Sequence, residues 1–136
     1  LQLMGSTNRY LSKTERVGLA SAAIKTAAKE CDIHILALAQ LSREVEKRPD
    51  KRPQLSDLRD SGQIEQDADA VLFLLRDEYY LRQEEPEKND PKHAEWETDL
   101  AMVQGKIEFI VAKRRNGVTG KDMGSFHGAY QAVRGQ

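Results

Sequence analysis

An amphipathic helix that leads straight into an apolar run restricts the fold of this chain more than any other feature. Ser12 and Glu15 make the Ser-x-x-Glu pattern of a capping box. Val17, Ala20, Ala23, Ile24, Ala27 and Ala28 then follow at helical spacing, with Arg16, Lys25 and Lys29 on the other face. The helix is expected to end near Cys31–Asp32. Ile33 to Ala39 is nearly continuous in apolar residues, the pattern of a strand covered on both faces. A helix feeding a buried strand is half of a βαβ unit, so the expected class is α/β with a mostly parallel sheet and flanking helices.

Later segments extend the pattern. Ser42 to Gln54 is charged, holds Pro49 and Pro53, and reads as loop, and Ser56 to Asp67 suits a short helix. Ala70 to Leu75 is a second apolar run and a second expected strand. Residues 77–105 read as a surface insertion, mostly acidic at first and containing Pro86 and Pro91, closed by a short helix from His93 to Val103 with Trp96, Leu100 and Val103 on its apolar side. Lys106 to Ala112 alternates as a third strand, Asn116-Gly117 marks a turn, and Lys121 to Val133 suits one or two edge strands.

Charge and cysteine content narrow the chemistry. The formal net charge is -1, so binding to nucleic acid has to come from local clusters of cations. A single cysteine, Cys31, excludes an internal disulfide framework. His34, His93 and His127 show no metal-ligand spacing, and no metal site is expected. No apolar run approaches the ~20 residues of a membrane span. A reducing, cytoplasmic setting is the default.

Three stretches can carry function, and each has a plainer reading beside it. Gln40 leaves the end of the first expected strand, where α/β sheets place ligands, and can bond a phosphate or an attacking water. It can equally be an ordinary polar residue leaving a strand. Asp57 to Asp69 contains Arg59, Asp60, Ser61 and Gly62, a cation beside a Ser-Gly pair suited to a phosphate. The basic loop before it (Arg43, Lys47, Arg48, Lys51, Arg52) suits a DNA backbone or is simply solvated. Lys113-Arg114-Arg115-Asn116-Gly117 puts three cations at a strand end before a tight turn, able to reach a phosphate or to guard an edge. No Gly-x-x-x-x-Gly-Lys-Ser/Thr phosphate loop occurs in the chain.

Taken together, these stretches resemble the replicative helicases of the DnaB family. The resemblance is carried by Ala39-Gln40-Leu41-Ser42-Arg43, Asp50-Lys51-Arg52-Pro53, Ser56-Asp57-Leu58-Arg59-Asp60-Ser61-Gly62, Ile64-Glu65-Gln66-Asp67-Ala68-Asp69, Arg76-Asp77-Glu78 and Lys113-Arg114-Arg115-Asn116-Gly117. It spans Leu1 to about Tyr130, and the acidic insertion resembles alphaproteobacterial and phage versions.

The resemblance implies that residues 1–136 are the C-terminal half of a RecA-like P-loop NTPase motor, with the phosphate loop and Walker-B aspartate upstream of residue 1. It implies a homo-hexameric, ATP- and Mg2+-dependent DNA helicase that moves 5′ to 3′ on single-stranded DNA and meets a primase and a helicase loader. In that reading Gln40 senses the γ-phosphate, and Arg59, Asp60, Ser61 and Gly62 grip the DNA backbone. Lys113 and Arg115, with Asn116 and Gly117 forming the turn, serve the neighbour's ATP site, Arg115 as arginine finger. Alone, the chain is expected neither to hold ATP tightly nor to hydrolyse it. A RecA-type recombinase-like ATPase and a non-enzymatic module that binds DNA or helicase subunits are the alternatives. Arg114 stands where glutamine is common, and Asp122 and Gly124 fall where an apolar last strand is expected.

Overall fold

The computed structural model describes residues 1–2, 4, 10–58 and 62–135. Among them are α1 (Lys13–Glu30), α2 (Gly62–Asp67), α3 (Asp77–Gln83) and α4 (His93–Val103). The strands are β1 (Ala70–Leu75), β2 (Lys106–Arg114), β3 (Gly120–His127) and β4 (Ala132–Gly135), hydrogen-bonded in that order. Two compact units emerge, residues 1–71 with 112–118, and residues 72–111 with 119–136.

In the first unit α1 is set by its ends. The capping box forms in full: Ser12 Oγ accepts the Glu15 N–H at 3.2 Å and Glu15 Oε2 accepts the Ser12 N–H at 2.8 Å. Those bonds to Ser12 hold the Glu15 carboxyl below its ordinary pKa. At the other end Asp32 takes a left-handed φ of 50°, and the Ile33 N–H donates to Ala28 O at 3.0 Å. This is a Schellman stop, with an aspartate where glycine is commoner. Val17 and Ser21 are buried on α1 and Ile64 on α2, where the two helices pack together. Burying side chains such as Val17 and Ile64 stabilises this contact by about 1.5–3 kcal/mol each.

The expected strand Ile33–Ala39 does not form. Residues 33–42 belong to no helix or strand, and Leu36 and Leu38 are 92% and 80% exposed. A parallel strand exists only through its ladder to a neighbour, and apolarity specifies coverage rather than a partner. After Ser42 the loop takes two 3-10 turns, Arg43–Lys47 and Leu55–Leu58. It closes around Asp57, which is buried: its carboxylate accepts from Arg48 Nη2 at 2.6 Å and from the Gln54 N–H at 2.7 Å.

The sheet lies mainly in the second unit, and it overturns the expectation of a mostly parallel sheet. β2 and β3 pair antiparallel from Lys106↔Ser125 to Val111↔Gly120, and β3 and β4 pair antiparallel from Gly124↔Gly135 to His127↔Ala132. The Arg115 N–H donates to Asp69 O at 2.8 Å, which sets the end of β2 against the start of β1. The reason is topological. The Asn116-Gly117 turn joins β2 to β3 directly, and a short turn permits only antiparallel neighbours. Alternation in β1 buries Val71, Phe73 and Leu75 and exposes Leu72 and Leu74.

Asp122 and Gly124 do not stop β3. Gly124 is buried, and a Cβ there would lie 2.7 Å from Phe109 Cε2 and 2.9 Å from Arg134 O. The missing side chain makes room for a cross-strand ring.

Beside the sheet, α3 and α4 pack together, and Trp96 Nε1 donates to Leu81 O at 2.7 Å. Glu78 is buried on α3. Its Oε2 accepts the Gly105 N–H at 3.0 Å, its Oε1 accepts from Arg82 Nε at 3.0 Å, and Arg76 Nη2 lies 3.5 Å away. Arg76 also lies over the Phe126 ring, 3.8 Å from its centroid.

Candidate functional site

The predicted site residues fall into two described groups, both in the first unit. One group sits at the end of β2. Lys113, on β2, and Arg115, just past its end, both reach back to α2. Arg114 folds over the turn, where a Cβ on Gly117 would meet its Cδ at 2.7 Å. The extra cation therefore does not add to the pair. Asn116 and Gly117 are exposed in the turn itself.

Lys113 and Arg115 are bound within their own chain. Lys113 Nζ donates to Glu65 O, and Arg115 Nη2 donates to Gln66 O at 3.3 Å. These are carbonyls of the last turn of α2, left without helical partners, and cations are favourable there. Arg115 Nη1 also lies 3.1 Å from Asp69 Oδ1, while Lys25 of α1 donates to Asp69 Oδ2. The Lys25 bond first, then the charges of Lys25, Arg115 and Lys113, hold the Asp69 carboxyl below the usual aspartate range. Asp67 is tied on the same rim, accepting from Ser21 Oγ at 2.8 Å and Gln63 Nε2 at 2.9 Å. Lys113 is half-buried and the Arg115 side chain is 51% exposed, so the guanidinium keeps an open face.

The other group surrounds Gln40. Its backbone is held reciprocally by a side-chain amide: Gln40 N–H donates to Gln2 Oε1 at 3.0 Å, and Gln2 Nε2 donates to Gln40 O at 3.0 Å. Gln2, Lys13, Gln40, Leu41, Ser42 and Arg43 line a hollow of about 340 Å³. Two residues on, the Ser42 N–H donates to Asp57 O at 2.9 Å. The end of the Gln40 segment is thereby fixed to the residue pair Asp57-Leu58 that enters the predicted DNA loop.

Of that loop, Gly62 is exposed at the start of α2, and Arg59, Asp60 and Ser61 lie outside the described residues. Sequence reasoning did not single out Asp69, Lys25, Gln2 or Asp57 as organisers. Of these, Asp57 and Asp69 carried a signal, since both lie within the motifs that carry the resemblance.

Residues 1–134 match the family model described as the DnaB-like helicase C-terminal domain. The chain belongs to that family. It is 48% identical over 120 residues to the replicative DNA helicase DnaB of Rickettsia felis, covering 88% of this chain and 24% of the relative. The corresponding protein of Helicobacter pylori is 42% identical over 137 residues, covering 88% of this chain and 28% of the relative. The chain thus spans about a quarter of the length of the curated relatives it matches.

Solved structures agree. One, described as an ATPase domain, superposes with a TM-score of 0.80 at 38% identity, covering 100% of this chain and 42% of that one. A DnaB-like replicative helicase whose interactions with primase were described also gives 0.80 at 38% identity, covering 99% of this chain and 29% of that one. No helix among the described residues is long and apolar enough to cross a membrane.

Proposed function

We propose that this chain is part of the motor of a cytoplasmic, homo-hexameric replicative DNA helicase that hydrolyses ATP to move along single-stranded DNA and unwind the duplex. The observation that carries the reading is the pair Lys113 and Arg115, two cations on one side of a strand end, one with an open face, in a chain of this family. ATP bound between neighbouring subunits supplies the transferable phosphoryl group. Arg115 and Lys113 offset the negative charge that grows on that group during transfer, and a fixed cation does so without reorganising. Mg2+ accompanies ATP in this reading. The described residues supply no group of three or more His, Cys, Asp or Glu ligands for it.

Gln40 responds to the γ-phosphate. Its state passes along Leu41-Ser42 and the Ser42–Asp57 bond into residues 59–62, where Arg59, Asp60, Ser61 and Gly62 hold the DNA backbone. Residues 77–105 are a surface insertion of the motor. A primase and a helicase loader are the protein partners.

The test uses a full-length protein that carries this chain. Arg115→Ala is expected to lower DNA-stimulated ATP hydrolysis by about 10³-fold while the ring still assembles. Mixing such subunits into wild-type rings is expected to depress the activity of wild-type neighbours. Wild-type hydrolysis by Arg115→Ala rings would overturn the reading. The chain alone is expected to show no ATP hydrolysis.

A further inference from the structure

We infer that Asp69 is a positioning residue for Arg115, holding the guanidinium in the orientation from which it reaches a phosphate on a neighbouring molecule. The inference rests on the reading of Arg115 as a cation supplied in trans. Asp69 grips Arg115 at two levels. Its carbonyl accepts the Arg115 N–H at 2.8 Å, which fixes where the side chain starts, and its Oδ1 lies 3.1 Å from Nη1, which fixes where it points. Gln66 O takes Nη2 at 3.3 Å, so the planar fork is held from two directions. One guanidinium N–H is given to Gln66 O and Nη1 is ion-paired to Asp69, and the half-exposed side chain leaves other N–H groups to bind an oxyanion.

A carboxylate so close would also weaken the cation's field at a phosphate. Lys25 opposes that by taking the second oxygen, Oδ2. The carboxylate is thereby shared, and with Lys113 nearby the cluster keeps an excess of positive charge. Asp69 is 60% exposed, and exposed ion pairs contribute little to stability. Its value therefore lies in aiming the cation, because a displaced catalytic group costs rate steeply even when the fold is intact.

In the full-length ring, Asp69→Asn is expected to lower DNA-stimulated kcat by about tenfold or more, with KM for ATP, assembly by light scattering and melting temperature close to wild type. Asp69→Glu is expected to restore part of the loss. The double variant Asp69→Asn/Arg115→Ala is expected to match Arg115→Ala within about twofold, because both changes remove one function. Wild-type kcat for Asp69→Asn beside an inactive Arg115→Ala sinks this inference alone, and so do losses that multiply in the double variant. An Arg115→Ala ring at wild-type rate sinks the underlying reading as well. If Asp69→Asn fails to assemble, Lys25→Gln decides: a severalfold fall in kcat supports the inference, and an unchanged kcat overturns it.

Discussion

Glu78 offers the sharpest test of how the second unit is held together. Its carboxylate receives the N–H of Gly105, whose φ of 68° fixes the turn into β2, and it also receives Arg82. Glu78→Gln keeps the shape and an acceptor for Gly105 but removes the charge. The Arg82 side chain is 53% exposed, so its pairing counts at the surface rate of about 0.5 kcal/mol. Turning the charge-assisted Gly105 bond into a neutral one removes a similar amount, so the expected loss is about 1 kcal/mol. Glu78→Ala also strands the Gly105 N–H, and about 2–3 kcal/mol is expected.

The acidity of this group adds a second dimension. The Gly105 bond first, then Arg82 and Arg76, hold the Glu78 pKa below the ordinary glutamate value. The unfolded chain therefore binds the proton more tightly. The stabilisation is complete above the unfolded value of about 4.3 and is lost as pH falls through the depressed folded value. Urea unfolding followed by Trp96, the single tryptophan, reports directly because its indole bonds Leu81 O on the same helix as Glu78. The gap between wild type and Glu78→Gln should be about 1 kcal/mol near pH 7 and should close in acid. An equal gap at both extremes would refute the assignment of the charge.

Other substitutions test other parts of the fold. Gly124→Ala drives a methyl into Phe109 and the Arg134 carbonyl and should destabilise by about 1–3 kcal/mol, read as a lower urea midpoint. Asp57→Ala removes the buried acceptor of Arg48 and of the Gln54 N–H, leaving Arg48 its bond to Arg52 O, and should cost about 2 kcal/mol, with hydrogen exchange rising first across residues 42–58. Ser12→Ala breaks the capping box and should lower stability by about 1 kcal/mol, with fraying confined to the first turn of α1 in amide exchange.

Local grammar was the most legible part of the sequence. Ser12 and Glu15 announce a helix start through their own side chains, and Ala70 to Leu75 appears as a strand over its expected residues. Ile33 to Ala39 misleads because apolar runs encode a preference for cover, while a strand also needs a backbone partner. The same gap hid the antiparallel sheet, since alternation looks alike in either direction. At the site, the sequence put Lys113, Arg114 and Arg115 together at a strand end without saying which of them share a side. The acceptors of Lys113 and Arg115, the carbonyls of Glu65 and Gln66, have no sequence signature at all. Asp57 and Glu78 both stand in the motifs, but nothing in the sequence marked them as buried.

The reciprocal bonds between Gln2 and Gln40 have one more consequence. A carboxamide has the same donor and acceptor as a peptide unit, so the Gln2 side chain acts as a single borrowed rung of sheet. It locks the peptide groups on both sides of Gln40 and so decides which way that residue's own side chain leaves the backbone. Glutamate at position 2 would offer the acceptor without the donor, and methionine would offer neither. A residue can in this way be chemically restricted solely through the backbone it holds.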